Sequence, residues 1–233
     1  MLTIRVINPD EDRKVVKAFM ACQSRTYAEF GTEKASRDVT SDEIDEGDVY
    51  FVVAEEKHTE ALVGGLRFHL RRTGSKKLLI ETLMETDPRL QAYSILQENI
   101  ERWAARGLAE ISGLWAESDW RGTGLSAAMV SAALAAMPLF GVRRSIAFTH
   151  HHVLKTWRPL GWREDSEVRS IPYPDPRYES SIIWNNPPHL NDAEDTARRQ
   201  IFHMRDTLKR GARINWPPKN NPRSLQLVEA HRA

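Results

Sequence analysis

Apolar and polar residues alternate at Leu2, Ile4 and Val6, a period of two that predicts a half-buried first strand ended by Asn8 and Pro9. The period then lengthens. Val15, Val16, Phe19 and Met20 fall at helical spacing, Asp10 and Glu11 suit an amino-terminal turn, and the pattern runs toward Phe30 before Gly31 stops it. Residues 31 to 48 are polar and acidic and read as a loop over one end of a sheet. Val49 to Ala54 is a continuous apolar run of strand length, and after a turn at Lys57 to Glu60 the segment Ala61 to Leu70 returns as its antiparallel partner. Leu78 to Met84 reads as one more extended piece. From Pro88 the register is helical again, with Leu90, Ile95, Leu96, Ile100 and Trp103 spaced along one face until Gly107.

Leu108 to Ala116 is apolar, the stretch from Glu117 to Ser126 is polar and glycine-containing, and an alanine-rich run continues to Met137. That order predicts strand, tight turn and helix, the helix apolar nearly all round and closed by Pro138. Val142 to Thr149 is a further strand, His152 to Leu160 a short helix ended by Gly161, and Ser180 to Trp184 a last strand. Together these elements predict an α+β fold layered α/β/α, a mixed and mostly antiparallel sheet with helices on both faces, spanning residues 1–188. After Pro188 the composition shifts. Asn191 or Asp192 can cap an appended helix within 189–210 whose Ile201, Met204 and Leu208 form a narrow apolar stripe, and 211–233 reads as an extended or disordered tail.

A net charge of +1 over 233 residues offers no global attraction to nucleic acid or to an anionic membrane. No stretch approaches the roughly 18 apolar residues that span a bilayer, and the first residues lack the order of a signal peptide, so the expected setting is cytoplasmic. Cys22 is the lone cysteine. It cannot form an internal disulfide and reads as a small buried hydrophobe. His150, His151 and His152 are consecutive and so point in different directions, with no H-E-x-x-H string beside them, and no metal is expected.

Gly122 and Gly124 let the turn bring backbone amides close to a bulky anion, and the following helix adds positive potential at its amino terminus. The spacing is neither G-x-x-x-x-G-K-[ST] nor G-x-G-x-x-G. Arg121-Gly122-Thr123-Gly124-Leu125-Ser126 instead resembles the [RQ]-x-x-G-x-[GA] loop of the GNAT acyltransferase superfamily, with Ser126 departing at the last position. The resemblance implies that these six residues hold the pyrophosphate of acyl-coenzyme A or the phosphopantetheine of an acyl carrier protein. It also implies that a splayed part of the preceding strand, around Ala116, supplies amides to the tetrahedral oxyanion.

A second resemblance covers roughly residues 20 to 162. Arg25, Phe30, Glu43, Asp45, Asp48, Arg67 and Glu110 follow one another as in the acyl-homoserine-lactone (autoinducer) synthases and the related long-chain N-acyl amino acid synthases. In those families such residues surround the amine donor. Gly113 stands where the E-x-S-R string of autoinducer synthases has arginine, which puts the homoserine-lactone product in doubt more than the acyl transfer. Trp157 stands where many GNAT members place a thiolate-protonating tyrosine, so a water, one of the three histidines or no residue at all takes that role.

The residues support amine chemistry independently. An amine arrives as a cation and must lose a proton before attacking a thioester, so a site needs carboxylates to attract it and a base to deprotonate it. Asp45, Asp48 and Glu110 are candidates, with Glu110 the expected base and Arg67 able to hold an acceptor carboxylate. Arg121, Arg143, Arg144, Lys155 and Arg158 are expected near the pantetheine entrance, where they suit either an acidic carrier protein or the coenzyme A phosphates. Two functions follow: transfer of an acyl group to a small amino-acid-like amine, or retention of acyl thioester without turnover.

Overall fold

The computed structural model of the chain describes residues 1–32, 47–72 and 74–216. Its first strand, β1 (Leu2–Ile7), sends Leu2 and Ile4 into one core and Ile7 into another, so it is buried on two faces instead of the one expected. Helix α1 (Arg13–Glu29) starts at Asp12, whose carboxylate accepts the Val15 N–H at 3.2 Å. Its Phe19 meets Phe51 and Trp115 edge-on, with ring centroids 4.9 and 5.7 Å away. This close approach needs Gly65, where a Cβ would come within 2.5 Å of the Phe19 ring. Cys22 packs half-buried at the margin of the same core instead of lying inside it.

Strands β2 (Val49–Glu56) and β3 (Leu62–Arg71) form the expected antiparallel hairpin. The piece expected as extended at Leu78 to Met84 is helical, α2 (Leu79–Thr86). Its first turn is stabilised by two carboxylates. Glu81 accepts the Leu78 N–H at 2.8 Å, and Glu110 accepts the N–H groups of Leu79 at 2.7 Å and Ile80 at 3.0 Å. A short α3 (Pro88–Gln91) leads into α4 (Ser94–Ala104), whose Leu96 and Ile100 are buried under the sheet.

Strand β4 (Leu108–Ala116), helix α5 (Leu125–Ala136) and strand β5 (Arg144–His150) follow the expected order, then α6 (His151–Trp157), β6 (Arg163–Glu164), β7 (Ile171–Pro172) and β8 (Glu179–Asn185). The sheet runs β6-β8-β5-β4-β3-β2-β1, with β7 on β8, and among the described strands only β4 and β5 pair in parallel. Helix α5 lies in the largest core with Leu125, Met129 and Leu134 fully buried, each contributing about 1.5–3 kcal/mol. Helix α7 (Asp195–Lys209) buries Ala197, Ile201 and Met204 in that same core. Beyond it, β9 (Ile214–Trp216) pairs antiparallel with β1, so part of the segment expected as a tail closes the sheet edge. Among the described residues no helix is long and apolar enough to cross a membrane.

Candidate functional site

The parallel pairing of β4 with β5 runs from Leu108–Arg144 to Ile111–Ala147, yet β4 continues to Ala116 and β5 to His150. The two strands therefore diverge, and a cavity of about 320 Å³ lies there, walled by Ile111 to Ala116 on one side and Phe148 to His150 on the other. A bulge promotes the divergence. The β3–β4 register shifts between Gly65 and Arg67, where Gly113 takes a left-handed φ of 66°. Helix α1 fixes the bulge through Gln23 Nε2, which donates to the Gly113 carbonyl at 2.8 Å, and Tyr27 Oη, which donates to that of Leu114 at 3.2 Å. A Cβ at Gly113 would meet the Gln23 amide at 2.4 Å unless that side chain moved, and the left-handed φ itself favours the glycine that stands where an autoinducer synthase has arginine.

The turn after β4 opens on the cavity through Arg121 and Ser126. Gly122 and Gly124 have φ of 72° and 85°, Gly124 is the residue before α5, and no side chain caps that helix. A Cβ at Gly122 would touch nothing within 4 Å, so the turn faces open space. Thr123 Oγ1 braces it by donating to the Trp120 carbonyl at 2.7 Å, while the Leu125 side chain is fully buried. Arg121 donates through Nε to the Ala116 carbonyl at 3.0 Å, pairs with Glu29 at 2.6 Å and covers the Phe30 ring at 4.8 Å. Phe30, Ala116, Arg121 and Ser126 thus share one wall.

The remaining wall is aromatic. Tyr27, Phe148, Tyr173 and Tyr178 line it with His150, His152 and Trp157. Burial raises the pKa of Tyr27 and of Tyr173, the latter also through Glu110. Burial, then the neighbouring His152, pushes His150 down to about 4 against a partial pull from Asp175. Trp157, where a tyrosine was looked for, is buried and its Nε1 has no hydrogen-bond partner among the described residues. Tyr27, Tyr173 and Tyr178 escaped the sequence reading. Tyr27 sits one helical turn after Gln23, and the other two lie in the segment leading into β8, which has no motif of its own.

Other expected residues fall elsewhere. Glu110 is buried beneath the wall and is not part of it, both oxygens being engaged by the first amides of α2. Arg67 is buried against Ser112 at 3.4 Å and Met20 Sδ at 3.5 Å, directly behind the Gly113 bulge. Asp48 is buried at the start of β2, 3.4 Å from Arg72. Arg25 pairs with Glu117 on the surface. Glu43 and Asp45 lie outside the described residues. Arg143 precedes β5 and Arg144 begins it, pairing with Leu108 at the start of β4. They sit roughly 20 Å along the strand from His150 and not at the cavity mouth, because β5 runs away from them toward the site. Among the described residues no cluster of His, Cys, Asp and Glu is placed to hold a metal ion.

The model of the GNAT acetyltransferase family matches residues 16–162. An uncharacterized protein of Mycobacterium tuberculosis (strain ATCC 25618 / H37Rv) is 30% identical over 92 residues, 39% of this chain and 35% of that protein. The match therefore spans about a third of that relative's length. Among solved structures, an N-acyl amino acid synthase from uncultured soil microbes superposes with a TM-score of 0.60 at 12% identity, covering 85% of this chain and 98% of its own. A CoA-dependent acyl-homoserine lactone synthase solved with SAM and isopentyl-CoA gives 0.59 at 18% identity, covering 86% and 90%. At such identities the likeness shows the fold.

Proposed function

The chain belongs to the GNAT acetyltransferase family, and from that premise we propose that it is an N-acyltransferase taking an acyl group from a pantetheine thioester to the amine of a small amino-acid-like acceptor. The observation that carries this reading is a continuity. The left-handed, uncapped turn at 121–126 opens on the same cavity that lies between the diverging strands, so an anion held by the turn would leave its attached arm running past Ala116. Coenzyme A and a carrier protein present the same arm. With Arg143 and Arg144 remote from the mouth, their charge speaks for neither donor. The autoinducer-synthase resemblance assigns Arg25, Glu43, Asp45, Asp48 and Arg67 to the acceptor side; Arg25, Asp48 and Arg67 stand outside the cavity wall, and the setting we propose is cytoplasmic.

The test mixes protein, acyl-coenzyme A and a panel of amino acids and amines, and follows thiol release. Gly122→Val separates grip from fold. Its side chain has room, so stability should fall only by the left-handed backbone cost of about 1–2 kcal/mol, while coenzyme A affinity should drop at least about tenfold. Unchanged affinity in a calorimetric titration would move the phosphate site elsewhere.

A second reading, retention of acyl thioester without turnover, draws on Glu110, whose oxygens are committed to α2, and on Trp157 in place of an acid. Thioester binding with no acceptor-dependent thiol release across the panel would establish it. A homoserine-lactone product is disfavoured by Gly113, which puts no guanidinium where the autoinducer synthases have their arginine.

A further inference from the structure

Acyl transfer to an amine leaves two proton problems: the attacking nitrogen must lose one, and the departing sulfur gains one. One side chain in the cavity wall is placed for both. His150 ends β5 and is the register partner of Ser180 on β8. Its Nδ1 lies 2.7 Å from Ser180 Oγ, which donates to the Tyr173 carbonyl at 3.0 Å. A carbonyl only accepts, so the Ser180 proton is directed at Tyr173 and its lone pair at His150. A neutral imidazole tied in this way carries its proton on Nδ1 and keeps the lone pair on Nε2. Among the described residues no hydrogen bond engages that Nε2, and His150 borders the cavity where the strands have parted.

We propose that His150 is the proton relay of the acyl transfer, with Ser180 its positioning residue; the inference rests on the acyltransferase reading above. The ammonium first gives one proton to bulk water, and the free-base amine nitrogen then forms its bond to the thioester carbon while the carbonyl electron pair moves to oxygen. The N–H proton passes to Nε2. The oxyanion then collapses, the C–S bond breaks, and the proton on Nε2 goes to the pantetheine sulfur. An amide and a free thiol result, and the imidazole ends as it began.

The surroundings suit a relay that never stores its proton. His152 of α6 stacks 5.4 Å away, Tyr178 lies 4.8 Å away, and Asp175 with its partner Arg177 is the nearby ion pair. The depressed basicity keeps the imidazole neutral at neutral pH, and makes the transient imidazolium acid enough to protonate a thiolate whose conjugate acid has a pKa near 8.5. A free ammonium is too weak an acid for such a base. The nitrogen already bonded to the carbonyl carbon is not.

The test uses the full chain, acyl-coenzyme A, the amine panel and nitrogen NMR of labelled protein. His150→Gln is expected to bind coenzyme A within about twofold of the parent while turnover falls about 10²–10⁴-fold, and free imidazole should restore part of the activity lost in His150→Ala. Ser180→Ala should cost about tenfold in turnover and redistribute the His150 tautomer. The unsubstituted protein should show a protonated Nδ1 and a bare Nε2. A proton on Nε2 at neutral pH, or a His150→Gln variant within about threefold of full turnover, overturns the relay and leaves the acyltransferase reading standing. A parent protein that releases thiol with no donor and acceptor pair overturns that reading, and the relay falls with it.

Discussion

His150 owes its chemistry to a hydroxyl 30 positions away in the chain, and its sequence neighbourhood, two more histidines, gives no sign of it. The glycines of the turn are different. The turn at Gly122 and Gly124 was legible because its left-handed backbone is a conformation that the residue type itself announces. His150 also predicts a pH effect on stability. Its folded pKa of about 4 lies below the ordinary 6.5, so between those values the unfolded chain binds a proton that the folded chain refuses. The stability tied to this group is complete above about 6.5 and lost as the pH falls toward 4. Discounted for partial exposure, the loss is on the order of 1–2 kcal/mol. Urea unfolding of the parent and of His150→Gln across that range should show the difference between them shrinking with acid; a constant difference would mean the ring is solvated and titrates normally.

Among the elements, α2 shows where periodicity runs out. Seven residues from Leu78 to Met84, apolar but for Glu81 and Thr82, fit a strand as well as two helical turns, and the deciding interaction comes from another element. Glu110 on β4 receives the Leu79 and Ile80 amides, orphan donors that a strand would not present together. The same fact reassigns Glu110. The apolar run from Leu108 to Ala116 gave no sign that a helix end awaits this carboxylate. Glu110→Gln turns one accepting oxygen into a donor facing another donor, and should lower unfolding free energy by about 1–3 kcal/mol, read in chemical denaturation. Full stability together with abolished turnover would restore Glu110 to the reaction itself.

Across the whole molecule, the order of strands and helices and the position of the turn were readable, since each rests on local pattern. The cavity wall was less so. It draws on α1, β4, the 121–126 turn, β5, α6 and the segments around β7 and β8, and neither β5 nor the segments around β7 and β8 carried a motif. The docking of the carboxy-terminal part was illegible for a related reason. Its apolar residues are sparse, yet Ile214 and Trp216 are buried where β9 completes the edge of β1 beneath α7. Trp216→Ala is therefore expected to destabilise the entire fold by about 3–5 kcal/mol in a single cooperative transition. A loss below about 0.5 kcal/mol would show that this strand is ornamental to stability.

The parting of β4 and β5 after Ile111 and Ala147 leaves the sheet one ribbon short at its centre. A pantetheine arm carries amides of its own along its length, and laid in that gap it can hydrogen-bond to both banks as a borrowed strand. The loaded protein would then be the better-knit one. Backbone hydrogen exchange at Leu114 and Phe148 should slow when an unreactive thioether mimic is added, before any acceptor arrives and any bond is made.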